Sequence, residues 1–303
     1  MYVCILSMDD PKFGEAELEL LCDAKQTTKQ DDLVCTDELD ITQISRLAYV
    51  HGVYEILDIT KIQDTESFKV SFHSDFSEEE RQVWYKQIYQ AQQNPKVQMQ
   101  DQQVTYMIFK IKNKTAVTKQ LWVNDKDYKE REPQNRVARH PSMIKAKLAK
   151  AMVNVSGIKK GLICDPFCGT GGILLEAAHV QLKVHGSDLD YDMILRAKQN
   201  VKDKNVVIQE QDALTLTLKS DAIITDLPYG KNTKDVAPTL YVDFFSHIAK
   251  NNLTDTIVTC LPSTINCDKI IDSTQWNITH SISTYIHRSL TRVVYRLTRK
   301  RNL

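Results

Sequence analysis

The stretch "DAIITDLPYGK", Asp221 to Lys231, ends an apolar run in a carboxylate and follows it with Leu227, Pro228, Tyr229 and Gly230. These residue types suit one chemical task. The exocyclic amine of a nucleobase is a poor nucleophile, because its lone pair is delocalised into the ring. A catalyst must accept the amine hydrogens and aim the lone pair at an electrophilic carbon. The Asp226 carboxylate and the Leu227 carbonyl can accept, and Pro228 stiffens the loop by fixing φ. Tyr229 can stack on a base taken out of its helix. The plainer reading is a strand running into a tight turn rich in Pro and Gly. No His or Cys accompanies Asp226, so no metal site is expected there.

Three more acidic residues end strand-like segments upstream. "DPFCGTGG", Asp165 to Gly172, lies between the strand-like "GLICD" and the helical "GILLEAAHVQL". Gly169 and Gly171 let the backbone turn tightly and approach a ligand that a Cβ would block. A carboxylate at a helix N-terminus repels a pyrophosphate but can accept hydrogen bonds from a ligand ammonium. The methionine part of S-adenosylmethionine carries such a group. Asp188 closes "HGSD", 23 residues after Asp165, where a second strand end can hold ribose hydroxyls. It could also cap a helix, a role for which Asp190 competes. Asp212, followed by Ala213, can accept from an adenine amino group or can be an ordinary turn aspartate.

The elements around these residues indicate how they are positioned. From Gly161 onward strands alternate with helices, and the chain closes on two long strands expected to be antiparallel. That order predicts a doubly wound, mostly parallel α/β sheet, with ligands beyond the strand ends. The first half reads as small α+β units with strands at "YVCILSM", "VYEILDITKI", "SFKVSFH", "VTYMIFKIK" and "TAVTKQLWV". Ser77 with Glu80 fits a capping box. The expected divisions are a first unit over 1–63, a second over 64–123, a polar linker over 124–141 and the α/β domain over 142–303.

The 303 residues carry equal numbers of acidic and basic side chains, yet residues 1–120 sum to −7 and residues 121–303 to +7. A basic half is compatible with a polyanionic partner, and equally with a solvated basic surface. There is no apolar run long enough to cross a membrane as a helix, and the seven scattered cysteines are expected to be reduced, as in a cytoplasmic protein.

Together "DPFCGTGG", "GSDLD", "QDA" and "TDLPYG" resemble the S-adenosylmethionine-dependent amino-methyltransferases. They are most similar to the tRNA guanosine-10 N2-methyltransferase family of archaeal type, as are "PQNRVARHPSMIKAKLAKAMVNVSG" and "HRSLTRVVYRL". The resemblance implies a Rossmann-like methyltransferase sheet preceded by a ferredoxin-like unit and a THUMP RNA-binding domain. It implies transfer of one or two methyl groups to guanosine N2 in tRNA, with S-adenosylmethionine as donor and no metal. Asp226, Leu227, Pro228 and Tyr229 would be catalytic. Asp165, Phe167, Gly169, Gly171, Asp188, Asp212 and Ala213 would hold the cofactor. Arg136, Arg139, Lys145, Lys147, Arg288 and Arg292 are candidate phosphate contacts. The partner is tRNA and no membrane; a monomer is expected, with a small activator subunit as the alternative. Leu227 stands where the broader group has a proline, but its carbonyl is still there. Rival readings are an enzyme acting on adenine N6 or a protein glutamine, and a non-catalytic RNA-binding protein.

Overall fold

The structure, a computed structural model, describes residues 1–62, 67–93, 95–202, 205–229, 239–272, 275–287 and 290–300. The chain forms two compact units. The first comprises residues 1–11, 22–45 and 50–125, and the second residues 12–21, 46–49 and 126–303.

The first unit is built on one seven-stranded sheet. Its strands are β1 (Tyr2–Leu6), β2 (Gln26–Gln30), β3 (Leu33–Thr36), β4 (Val50–Leu57), β5 (Phe68–His73), β6 (Val104–Ile111) and β7 (Lys114–Val123), in the order β2-β3-β1-β4-β7-β6-β5. All pairs are antiparallel except β5–β6. A parallel pair needs a crossover, which helix α2 (Glu78–Gln90) supplies. Ser77 starts α2: its Oγ accepts from the Glu80 amide, and Glu80 Oε2 accepts from the Ser77 amide at 2.7 Å. "VYEILDITKI" is a strand only to Leu57. There the Asp58 carboxylate accepts from the Thr60 amide and turns the chain into a 3-10 helix, Ile59–Lys61. Strands expected in two units thus lie side by side in one sheet, and the expected division at 63/64 falls outside the described residues.

The second unit contains helices α1 (Pro11–Leu20) and α3 (Ala146–Val155), followed by β8 (Leu162–Asp165), α4 (Gly172–His179), β9 (Lys183–Asp188), α5 (Tyr191–Asn200) and β10 (Val206–Glu210). Next come β11 (Ala222–Asp226), α6 (Leu240–Lys250), β12 (Thr256–Pro262), α7 (Cys267–Asp272), β13 (Trp276–His287) and β14 (Leu290–Arg299). The sheet order is β10-β9-β8-β11-β12-β14-β13. Strands β8 to β12 are parallel, and the last two run antiparallel. The order reverses between β8 and β11, so the doubly wound expectation holds and the crevice beyond those two strands is the switch point.

Apolar clusters cover both faces of this sheet. One joins Leu148, Met152, Ile163, Leu174, Val184 and Ile194; the other joins Ile223, Phe244, Phe245, Ile257 and Trp276. Buried on both faces, strands β8, β11 and β12 read as near-continuous apolar runs. Helix α1 belongs to the first cluster through Phe13 and Ala16, and Phe13 stacks on Tyr49 at 4.8 Å. Glu17 is fully buried beside them. It accepts from the amides of Ala48 and Tyr49 and from Asn154 Nδ2 at 2.8 Å.

Residues 124–141, expected as a linker, are different from Lys126 onward. They form 3-10 helices at Asp127–Arg131 and Pro133–Asn135 that belong to the second unit. Arg131 makes two hydrogen bonds to the buried Glu176 carboxylate, at 2.9 and 2.8 Å, and another to Asp127. Lys150 Nζ lies 2.6 Å from the other Asp127 oxygen. Charges that look solvated in the sequence are ion pairs clamping this segment to α3 and α4.

Candidate active site

Asp165 and Asp226 end neighbouring strands at the switch point, since β8 pairs with β11 through Ile163↔Ala222 and Cys164↔Ile223. Asp165 is 1% exposed, and its Oδ1 accepts from the Phe167 amide at 3.2 Å. Burial, then the Asp188 and Asp226 carboxylates, push it up to about 8, while the Thr225 hydroxyl and the Phe167 amide pull the other way. A buried carboxyl of this kind is matched to a cationic ligand group.

The loop after Asp165 is shaped by its glycines. Gly169 has φ +50°, and a Cβ there would meet nothing within 4 Å, leaving space for a ligand against the backbone. Gly171 has φ +83°, and a Cβ there would lie 2.9 Å from Val201. Asp188 Oδ2 accepts from the Gly169 amide at 2.8 Å and its Oδ1 from the Asp190 amide. Asp190, not Asp188, caps α5. Asp188 therefore ties the glycine loop to the end of β9 and keeps lone pairs for hydroxyl donors. Asp212 caps the 3-10 turn Ala213–Thr215 by accepting from the Leu214 amide, so the ordinary turn role is observed for it, next to the buried Ala213. Phe167 is half-buried, edge-on to Phe244 at 5.2 Å.

Beyond β11 the Asp226 carboxylate is paired. Arg292 NH1, from β14, donates to its Oδ2 at 2.9 Å. Burial nonetheless pushes Asp226 up to about 6, against the pull of Arg292. Cys260 of β12 is the register partner of Asp226. Leu227 is fully buried, anchoring the loop by its side chain. Tyr241 from α6 donates to the Pro228 carbonyl at 2.8 Å, and the Tyr229 ring lies 5.1 Å from the Arg292 guanidinium carbon. Gly230 lies outside the described residues.

Of the candidate phosphate contacts, Arg139 and Lys145 are exposed. Lys147 is half-buried with its Nζ 4.1 Å over the Tyr49 ring. Arg288 lies outside the described residues. Two expectations are corrected. Arg136 is 6% exposed and donates to the carbonyls of Arg131 and Ile144, so it holds the chain. Arg292 is 9% exposed and faces Asp226. The partnership of Arg292 with Asp226 was not readable from spacing, because 66 residues separate them. Tyr241 carried no motif either. Among the described residues no group of three or more His, Cys, Asp or Glu is arranged to hold a metal ion. The seven cysteines are buried and form no disulfide among the described residues.

Comparisons with known proteins give family models, relatives and a structural neighbour. A family model described as "RMKL-like, methyltransferase domain" matches residues 133–292. A second, described as DNA methylase, matches residues 19–199 and stops before Asp212 and Asp226. The tRNA (guanine(10)-N2)-dimethyltransferase of Methanothermobacter thermautotrophicus is 35% identical over 196 residues, covering 61% of this chain and 58% of its own. The enzyme of the same name from Methanocaldococcus jannaschii is 34% identical over 155 residues, covering 46% and 44%. The chain thus spans about half the length of these curated relatives. The crystal structure of TrmN from Thermus thermophilus superposes with a TM-score of 0.49 at 15% identity, over 98% of this chain and 99% of that one. With the first family model spanning more than half of the chain and Asp165, Asp188, Asp212 and Asp226, the chain belongs to the RMKL-like methyltransferase domain family.

Proposed function

We propose that the protein transfers a methyl group from S-adenosylmethionine to the exocyclic N2 amine of a guanosine in tRNA, at position 10, adding one or two methyl groups. The observation that carries this reading is Asp226 with the Leu227-Pro228-Tyr229 loop, adjacent to the buried Asp165 at the switch point. The names of the two archaeal relatives support the choice of acceptor.

The residues fit the cofactor. Asp165 would take its ammonium, the open backbone at Gly169 would lie against it, and Asp188 would hold the ribose. Asp212, Ala213 and Phe167 would border the adenine. The cofactor supplies an electrophilic methyl group on a sulfonium. The protein's part is positioning, which converts an encounter into an aligned attack. The Asp226 carboxylate and the Leu227 carbonyl accept the N2 hydrogens and turn the lone pair out of the ring. Tyr229 stacks on the base, its loop pinned by Tyr241 at Pro228. As N2 gains the methyl group it loses a proton, and Asp226, held near 6 by burial, can take it and release it to water.

We assign the first unit as the RNA-holding region that the THUMP resemblance implies. Its sequence is net negative through residue 120, so the phosphate contacts proposed on the second unit are Arg139 and Lys145. No described helix is long and apolar enough to cross a membrane. With a tRNA substrate and seven cysteines outside any disulfide, the cytoplasm is the proposed site of action.

The test is transfer of labelled methyl groups to unmodified tRNA, followed by nucleoside mass spectrometry and position mapping. Wild-type protein is expected to yield N2-methylguanosine, and D226A to bind cofactor but lose roughly 10²-fold or more in rate. A methylated adenine or glutamine amide instead, or cofactor binding with no transfer to any RNA, would sink the proposal.

A further inference from the structure

We propose that Arg292 and Asp226 act as one reader of the acceptor base, the carboxylate taking the N1–H and N2–H of guanine and the guanidinium donating to O6. The inference rests on the function proposed above and adds to it a specificity residue.

Arg292 is 9% exposed, on the antiparallel strand β14, and only NH1 is used on Asp226. Among the described residues, Arg292 Nε, Asp226 Oδ1 and the Tyr229 hydroxyl are buried and make no hydrogen bond of normal geometry, the Cys260 thiol interacting with Asp226 and the Tyr229 hydroxyl with Arg292 at longer range. Buried polar atoms are rarely left so, and a cluster of them beside a candidate catalytic loop points to a polar ligand. The ligand must offer donors to the carboxylate and an acceptor to the guanidinium. The Watson–Crick edge of guanine has this order: N2–H, N1–H, then the O6 acceptor. Adenine presents an N1 lone pair next to an N6 donor, which sets acceptor against carboxylate and donor against guanidinium. A glutamine amide offers its oxygen beside the reacting amine but no ring N–H. A site built to hydrogen-bond one edge rejects analogues by leaving its own buried groups unpaired.

The Tyr229 ring, 5.1 Å from the guanidinium carbon, sits against the same group. The planar fork of Arg, stacked and paired at once, is not reproduced by lysine. A phosphate role for Arg292 does not suit this setting, since its charge is buried and already offset by Asp226.

The experiment uses tRNA made by ligation, with either guanosine or 2,6-diaminopurine at the mapped position. The analogue keeps the reacting N2 amine but carries an amine in place of O6 and no N1 hydrogen. Rates of methyl transfer, kcat/KM, are measured on both for wild type, R292M and R292K, each on its own high-pH plateau where Asp226 is ionised, with cofactor binding as the folding control. Wild type is expected to prefer guanosine by about 10²-fold or more. R292M should lose at least about tenfold on guanosine and nothing on the analogue, so the preference collapses; R292K should fall between. A merely structural role predicts equal losses on both bases, and that result overturns the inference. If R292M fails to bind cofactor, R292K decides, an unchanged preference again overturning it. Wild type that methylates no guanosine removes the proposed function and this inference together. Wild type that methylates guanosine, with equal losses in the variants, removes this inference alone.

Discussion

Protonating Asp226 should stop methyl transfer, because a neutral carboxyl no longer accepts two N–H groups or takes up a proton. Burial sets its pKa at about 6 against the pull of Arg292. The groups facing it are Arg292 on β14, Cys260 on β12, Asp165 on β8, Tyr229 in its own loop and Tyr241 on α6. At pH 7 roughly 90% of Asp226 is ionised, and at pH 5 roughly 10%. At saturating cofactor and tRNA, kcat is expected to fall with an acid limb near 6 and a slope of one. R292M removes the only cation in that set. An opposite charge at this range holds a carboxylate down by about 1–3 units. Its loss therefore raises the pKa, and the limb should move up to between about 7 and 9. With the limb at about 8, R292M retains roughly a tenth of its plateau rate at pH 7 and recovers on raising the pH. R292K keeps the charge and should leave the limb near its wild-type position. The assay is the single-turnover methylation rate from pH 5 to 9.5. The plateau reports contacts to the base and the limb reports the charge. An R292M limb coincident with wild type refutes the assignment of the limb to Asp226.

Three further outcomes test the surrounding structure. G169A places a methyl group in open space at a positive φ, so it should fold with a loss of about 1–2 kcal/mol yet weaken cofactor binding about tenfold or more by calorimetry. E17A removes the acceptor for the Ala48 and Tyr49 amides and Asn154, and should destabilise the second unit by about 3 kcal/mol in thermal melts, with E17Q restoring part. R131M leaves the buried Glu176 without its bidentate partner and should cost about 3–5 kcal/mol in denaturant unfolding, much of it recovered in the R131M/E176M double variant.

The strand-and-helix order of the second half was legible because its signals are local. Strand-like segments ending in Asp165, Asp188 and Asp226 mark parallel strands, and the glycines after Asp165 mark a turn at the head of α4. The capping box at Ser77 was equally legible, being complete within four residues. The hairpin β2–β3 was not: "QTTKQ" has no apolar alternation, and it is a strand because it pairs with β3. The charges and prolines of residues 124–141 lack periodicity, which is the signature of a linker, while the partners that hold the segment from Lys126 onward, Glu176 and Lys150, lie elsewhere in the chain.

Helix α1 and residues 46–49 show the same limit on a larger scale. Nothing local in "PKFGEAELEL" tells which core Phe13 will join or that Glu17 will meet Asn154, 137 residues away. Arg292 is the sharpest case. Its sequence neighbourhood is basic and strand-like, which is enough to suggest a phosphate contact, but pairing of β14 with β12 carries it to Asp226. By itself the sequence determined what is periodic or contiguous: the α/β alternation, the acidic strand ends and the Leu227-Pro228-Tyr229 loop. The tertiary structure decided which charges are buried together, because desolvation and ion pairing depend on distances in space that chain separation does not set.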